Sequence, residues 1–114
     1  MVWVGLMEEA DEELAALPRA EEVAMRSVIA KLEALGTRLP YPHQSAVRGV
    51  KGMRELRPRS GRSAWRAFYR RIGAEKFLIA SVGPEALVNP RGFDRSVSLA
   101  GQRLATHDEY GGGR

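Results

Sequence analysis

The amino-acid sequence predicts an α+β fold in which two helices precede an antiparallel sheet. In the first half of the chain, apolar residues recur at helical spacing in two stretches. In the second half, short apolar runs of strand length are separated by turn residues. Two helices that come before a meander of strands cover one face of the sheet, so we expect its other face to be open.

Each element of the first half has its own local signal. A short apolar run at residues 3–7 predicts a first strand. Residues 8–17 predict a short helix, which Pro18 ends. Residues 20–35 predict a second helix, because a broad apolar stripe follows an acidic first turn and Gly36 suits its end.

The second half opens with a predicted loop at residues 36–52, which contain two prolines and three glycines. Residues 53–59 and 64–71 then predict a hairpin joined by the turn sequence SGRS. The apolar run at residues 76–82 predicts a central, buried strand. From Phe93 onwards, apolar residues recur four, three and four positions apart, which predicts a C-terminal helix.

Length and composition limit the possible classes of protein. The 114 residues fit one domain at 1–110, and we expect the Gly-rich tail at 111–114 to be disordered. No apolar run approaches the roughly 20 residues of a membrane span, and the start of the chain lacks the basic segment of a signal peptide, so we expect a cytoplasmic protein. Cysteine is absent, and His43 and His107 lie far apart, so we expect no metal and no other cofactor.

Charge is distributed very unevenly along the chain. Residues 1–22 carry seven acidic side chains and one arginine, whereas residues 48–76 carry ten basic and two acidic side chains. The sequence pI is about 10.0. A concentrated basic segment favours binding to a polyanion, of which nucleic acid is the commonest inside cells. The alternative is a solvated basic face that pairs with the acidic first helix of the same or another molecule.

Strand alternation divides the side chains of the hairpin between two faces. Leu56 in the first strand and Trp65 with Tyr69 in the second are the best candidates for the core. The open face then carries Glu55, Arg57, Arg66, Phe68 and Arg70. Arginine suits phosphate, and Phe68 offers a surface on which an unstacked base can lie. A slip of one residue in the assignment would reverse both faces.

The segment GMRELRPRSGRSAWRAFYRR, followed by an apolar strand and a terminal helix, resembles the RelE/ParE toxin superfamily of type II toxin–antitoxin systems. Within it, the HigB-like, phage-derived branch is the most similar. The resemblance covers nearly the whole chain. It implies a small RelE-like (microbial-RNase-like) domain with two N-terminal helices on a sheet of three or four antiparallel strands, plus a C-terminal helix.

The resemblance also implies an activity and a partner. The activity is metal-independent cleavage of mRNA in the ribosomal A site, in which the RNA 2′-hydroxyl attacks the adjacent phosphate. This reaction requires a general base, cations around the transition state and an acid for the leaving 5′-oxygen. The implied partner is an antitoxin of the helix-turn-helix, HigA-like kind.

Individual residues match positions of the family motif. Arg66 matches a phosphate-binding arginine, and Arg57 matches a basic position on the neighbouring strand. Glu55 occupies a position where it is expected to be the general base, and His107 is expected to be the general acid or a base-stacking group. His43 is a second candidate by its chemistry alone. Further contacts with RNA phosphates are expected from Arg48, Lys51, Arg59, Arg62, Arg70 and Arg91.

The sequence departs from the family pattern in two places. The lysine-rich loop that follows the buried strand in many members is here GPEALVNPRG, with Arg91 as its basic residue. Phe93, which cannot transfer a proton, stands near the family's late tyrosine. Two other functions therefore stay open: a ParE-like inhibitor of DNA gyrase that does not cleave RNA, and an RNA-binding module without cleavage. The retained Arg57 and Arg66 favour the nuclease.

Overall fold

The computed structural model of the chain describes residues 2–110, and the predicted tail at 111–114 lies outside the described residues. The α+β prediction is confirmed, with a mostly antiparallel sheet in the strand order β1-β5-β4-β3-β2. Strand β1 is parallel to β5, and the other neighbours are antiparallel. The elements are β1 Trp3–Leu6, α1 Glu8–Ala15, α2 Arg19–Leu35, β2 Gln44–Ala46, β3 Met53–Leu56, β4 Trp65–Gly73, β5 Lys76–Pro84 and α3 Pro90–Tyr110.

Helices α1 and α2 pack on one face of the sheet, as predicted. Large side chains that are almost fully buried join the two layers: Leu14, Met25, Leu32, Leu56, Tyr69 and Ile79. Burying one such apolar side chain contributes about 1.5–3 kcal/mol. Because Leu56 and Tyr69 lie in this cluster, the predicted assignment of faces along β3 and β4 is confirmed.

The expectation of an open second face is wrong, because α3 covers its middle. A second apolar cluster joins this face to α3: Val47, Met53, Phe68, Leu78, Ala80, Ala100 and Leu104. The apolar stripe that predicts α3 needs a partner, and alternate residues of β3, β4 and β5 supply it. The charged side chains of the face consequently lie towards its two ends.

The connections differ more from the predictions than the helices do. The predicted loop at 36–52 contains β2, a three-residue edge strand whose Gln44 pairs with Leu56 of β3. The connection between β3 and β4 contains a kinked turn at Pro58–Gly61, in which Arg59 and Ser60 have positive φ, rather than a tight hairpin turn. Helix α3 begins before Phe93, since the Asn89 side chain accepts the backbone N–H of Gly92 at 2.9 Å and caps the first turn.

A salt bridge ties α1 and α3 to the edge of β5 that β1 leaves free. Strand β1 pairs with β5 only as far as Ile79. Beyond that point, a Glu13 carboxylate oxygen accepts the Val82 N–H at 3.0 Å, and Arg103 donates to the carbonyl oxygen of Ala80 at 2.8 Å. Glu13 and Arg103 also pair at 3.0 Å. Side chains of α1 and α3 thus bind the backbone groups of β5 that have no neighbouring strand, and they hold the carboxyl end of β5 in place.

Candidate functional site

A groove of about 450 Å³ opens at the carboxyl end of β5, beside the amino end of β4. The two strands meet there because Arg66 of β4 lies opposite Gly83 of β5. Charged and loop residues line the groove: Glu55, Arg57, Gly61, Arg62, Ser63, Ala64, Arg66 and residues 85–88. The structure therefore brings together three of the four residues expected to act in catalysis.

Arg66 lines the groove, and all three nitrogens of its guanidinium donate hydrogen bonds. Its Nε donates to a Glu55 carboxylate oxygen at 2.9 Å. Its Nη1 donates to the carbonyl oxygens of Ser63 and Trp65, and its Nη2 donates to that of Gly61. The side chain is 3% exposed. The expectation that Arg66 stands on an open face is therefore wrong, because the 57–64 connection folds its own carbonyl groups over the guanidinium.

Arg57 is more accessible than Arg66, with 20% of its side chain exposed. Its Nε donates to the carbonyl oxygen of Pro42 at 3.1 Å, and its Nη1 lies 3.9 Å from the Glu55 carboxylate. Among the described residues, no hydrogen bond uses its Nη1 or Nη2. Arg57 can therefore direct two nitrogens at a bound phosphate, which is the role that the sequence gives to Arg66.

Burial sets the protonation chemistry of Glu55. Removal from water raises the pKa of its carboxyl group above the ordinary 4.5, and the charges of Arg66 and Arg57 offset this only in part. The same loss of water lowers the pKa of the Arg66 guanidinium from its ordinary value. A carboxylate with a raised pKa beside a solvent-filled groove is a stronger base than an ordinary glutamate, as general-base catalysis requires.

Glu85 is a member of the groove that the sequence analysis missed. Its carboxylate lies 3.9 Å from Arg66 Nη2 and also accepts the backbone N–H groups of Leu87, at 3.2 Å, and Val88, at 2.7 Å. It therefore shapes the 85–88 loop and adds negative charge, which contributes to the raised pKa of Glu55. In the sequence, the feature that could have pointed to Glu85 is its position directly after Gly83-Pro84, which end the buried strand.

The opposite end of the same face holds a separate group of polar side chains. Arg70 pairs with Asp108 near the end of α3, and His107 Nδ1 lies 3.7 Å from the Asp108 carboxylate. Arg70 is four residues beyond Arg66 along β4, which corresponds to about 13 Å at the rise of a strand. His107 thus lies away from the groove, and the structure does not bring it together with Glu55.

The amino-acid sequence matches the model of one family, described as phage derived protein Gp49-like, over residues 12–83. The match spans more than half of the chain and includes Glu55, Arg57 and Arg66. The chain belongs to the Gp49-like family. No curated protein matches the sequence.

The fold of this Gp49-like chain is similar to solved structures from toxin–antitoxin systems. A chain of the intact E. coli RelBE complex matches with a TM-score of 0.58 and 19% identity, over 75% of this chain and 98% of that one. The isolated E. coli RelE toxin matches with a TM-score of 0.59 and 17% identity, over 83% and 98%. A chain of the Mycobacterium tuberculosis RelBE2 complex matches with a TM-score of 0.55 and 20% identity, over 74% and 98%. The RelE-like fold predicted from the sequence is confirmed.

The remaining predicted RNA contacts of the Gp49-like chain differ in accessibility. Phe68 is 0% exposed and packs edge-on against Phe93 at 5.3 Å, so the expectation that it stacks on a base is wrong. Arg59 is exposed but pairs with Glu21 of α2 at 3.2 Å. Arg62 is exposed at the groove wall. Three more of the predicted contacts are exposed basic residues: Arg91 in the first turn of α3, and Arg48 and Lys51 in the loop before β3.

Two negative findings concern the described part of the Gp49-like chain. Within residues 2–110, no group of three or more acidic or histidine side chains is arranged to hold a metal ion. No helix of that range is long and apolar enough to cross a membrane. His43, the second histidine, supplies a structural contact, since its carbonyl oxygen accepts the backbone N–H of Arg57 at 2.8 Å.

Proposed function

We propose that this Gp49-like chain is the toxin of a type II toxin–antitoxin system and that it cleaves ribosome-bound mRNA without a metal. The observation that supports this most is the placement of Glu55, whose pKa is raised, between Arg57 and Arg66 at an open groove. The RelE-like fold and the basic segment at 48–76 agree with an RNA substrate.

In the proposed reaction, Glu55 accepts the proton of an RNA 2′-hydroxyl. The 2′-oxygen forms a bond to the adjacent phosphorus while the bond from phosphorus to the 5′-oxygen breaks, which leaves a 2′,3′-cyclic phosphate. The free Nη atoms of Arg57 stabilise the negative charge that develops on the phosphate oxygens. The leaving 5′-oxygen takes a proton from solvent in this scheme, because His107 lies at the far end of the sheet face.

Arg66 is a positioning residue in this scheme. Its bond to Glu55 orients the carboxylate, and its bonds to three backbone carbonyl groups fix the guanidinium itself. A site held in place before substrate arrives avoids reorganisation during the reaction. Arg62 at the groove wall, with the exposed Arg48, Lys51 and Arg91, contacts phosphates along the strand without taking part in the chemistry.

An antitoxin is the second proposed partner. Two of the similar solved chains come from complexes of a toxin with its antitoxin. The basic segment of the present chain would attract an acidic antitoxin segment, and a helix-turn-helix protein of the HigA-like kind would bind DNA as the repressor of the pair. Toxin, antitoxin and ribosome would meet in the cytoplasm.

The nuclease is favoured over the other two candidate functions by one feature. An inhibitor of DNA gyrase, or a module that only binds RNA, has no need of a carboxylate that burial makes more basic. In this chain, burial keeps the pKa of Glu55 raised, although an apolar side chain at this position would cost less free energy than a carboxylate removed from water. Its neighbour Arg57 keeps two nitrogens free for phosphate.

The test is to produce the chain in growing bacteria and to follow both growth and the 5′-ends of translated mRNA. We expect growth arrest and new ends inside translated codons. Arg57→Ala should abolish both effects, whereas Arg71→Ala, which removes an exposed arginine of the opposite strand face, should not. Growth arrest with intact mRNA and inhibited gyrase supercoiling would establish the ParE-like alternative, and unaffected growth would contradict the toxin proposal.

A further inference from the structure

An exposed aromatic ring stands beside the groove, in the loop that joins α2 to β2. Tyr41 is 71% exposed. Its place in the sequence PYPHQS gives no sign of this exposure, because a tyrosine between two prolines fits a structural turn equally well. Phe68, the ring expected to meet a base, is buried under α3.

The Tyr41 loop is fixed to Arg57 by three contacts. The Arg57 backbone N–H donates to the carbonyl oxygen of His43 at 2.8 Å, and the guanidinium Nε donates to that of Pro42 at 3.1 Å. The guanidinium carbon also lies 5.4 Å from the centre of the Tyr41 ring. Arg57 therefore holds one face of the ring, while the high exposure leaves the other face to solvent.

Gly61 completes this arrangement on the groove side of Arg57. A Cβ atom at Gly61 would lie 2.7 Å from Arg57 Nη2, so the absence of a side chain there lets the guanidinium approach the turn. Arg57 thus lies between the Tyr41 ring and the Gly61 turn before any ligand arrives. An exposed aromatic ring beside a cation that can bind phosphate matches a nucleotide, which presents a flat base and a phosphate a few ångströms apart.

We propose that Tyr41 is the stacking platform for one nucleobase of the mRNA, the base whose phosphate is bound by Arg57. This inference rests on the RNA-cleaving function proposed above and adds the residue that sets the register of the strand in the groove. In the proposed complex, a base lies on the free face of the ring, its phosphate reaches past the ring edge to Arg57, and the neighbouring 2′-hydroxyl faces Glu55. Stacking accepts any base, so Tyr41 fixes position rather than sequence.

The experiment measures binding of the protein to programmed ribosomes. Their mRNA carries 2′-O-methyl groups in the A-site codon, which prevent cleavage, and one abasic nucleotide that is moved along the codon. The proteins compared are the wild type, Tyr41→Ala, and Tyr41→Phe, which keeps the ring. Trp3→Ala is the matched control, because Trp3 is an exposed aromatic residue at the Lys76 end of β5, away from the groove.

We expect Tyr41→Ala to weaken binding about tenfold and Tyr41→Phe to restore most of the affinity. One abasic position should weaken binding of the wild type and of Trp3→Ala but have no further effect on Tyr41→Ala. A loss in Tyr41→Ala that is equal at every abasic position would show that Tyr41 only supports Arg57, and would overturn the proposal.

The same measurements distinguish a failure of the stacking proposal from a failure of the proposed RNA-cleaving function. A wild type that binds and cleaves mRNA while Tyr41→Ala binds equally well would overturn the stacking proposal and leave the nuclease intact. A wild type that neither binds programmed ribosomes nor cleaves mRNA would overturn both.

Discussion

Arg66 and Arg70 are two arginines on the same strand and the same face, yet their surroundings differ completely. Arg66 is 3% exposed and pairs with Glu55, of which 12% is exposed, whereas Arg70 is 29% exposed and pairs with Asp108, of which 50% is exposed. The difference arises from what covers each end of β4. The 57–64 connection folds over Arg66 with its carbonyl groups, while the end of α3 only borders Arg70.

The comparison shows that a cluster of arginines in a sequence locates a site without identifying the arginine that meets the ligand. At the groove end, Glu55 and Arg66 form a pair that is largely removed from water, which shifts the pKa of both groups, as in many catalytic sites. The far end has a solvated pair of the kind that contributes little to stability. Arg57, directly after β3, is a cation of the groove with nitrogens left for a ligand.

The largest difference between the two ends is expected in stability. Arg66→Met removes the closer cation of the largely buried Glu55 carboxylate and the donor to three backbone carbonyl groups, and should lower the free energy of unfolding by about 3–5 kcal/mol. Arg70→Met breaks a solvated pair and should cost less than about 1 kcal/mol. Urea unfolding of both variants measures the difference. The double variant Glu55→Gln/Arg66→Met should recover part of the loss, because the Glu55 charge is then removed together with its closer cation. Equal losses at Arg66 and Arg70 would contradict the comparison.

A smaller difference is expected between two loop glycines. Gly61 and Gly49 both have positive φ, of 91° and 81°, so alanine at either position should cost about 1–2 kcal/mol of stability. Only at Gly61 would the new methyl group meet another side chain, the Arg57 guanidinium. Binding to programmed ribosomes should therefore weaken in Gly61→Ala and not in Gly49→Ala. Equal binding by both variants would show that the position of Arg57 is unimportant.

The smallest expected difference is in how pH affects stability. The pKa of Glu55 is raised above 4.5, so the unfolded chain loses this proton first, and its contribution makes stability fall as pH rises from 4.5 through the raised pKa. The pKa of Asp108 is lowered below 3.8, chiefly by its hydrogen bond with Arg70, so its contribution is present above 3.8 and lost as pH falls through the lowered pKa.

Unfolding measured against pH separates these two contributions. Glu55→Gln should remove the decline above pH 4.5, and Asp108→Asn should remove the gain near pH 3.8, with the Asp108 effect fading in salt because the pair is solvated. Difference curves of the same sign for both variants would contradict the assignment.

The sequence predicted the helices, the four longer strands and the facing of β3 and β4, because all of these follow from periodic burial. It did not predict β2, which is three residues long, polar and at the sheet edge. It did predict α3 but not where α3 packs, although the apolar stripe from Phe93 onwards required a partner and the alternate residues around Phe68 could have supplied one.

The sequence predicts which residues lie together at the candidate site, but not how deeply each of them is buried or what it contacts. Alternation places Glu55, Arg57 and Arg66 on one face, and the structure confirms that they adjoin. The burial of Arg66 depends on backbone carbonyl groups of a turn with two residues of positive φ, Arg59 and Ser60, which no side-chain pattern reveals. The exposure of Tyr41 and the distance of His107 likewise depend on how loops and helix ends dock.

The central claim, that Glu55 in the groove moves the proton, is tested most directly by single-turnover cleavage of mRNA on programmed ribosomes. At saturating protein, Glu55→Gln keeps the bond to Arg66 but cannot accept a proton, and should slow cleavage by about 10²–10⁴-fold. His107→Gln, at the far end, should cleave at nearly the wild-type rate. Cleavage by Glu55→Gln at the wild-type rate, or a large loss confined to His107→Gln, would contradict the account.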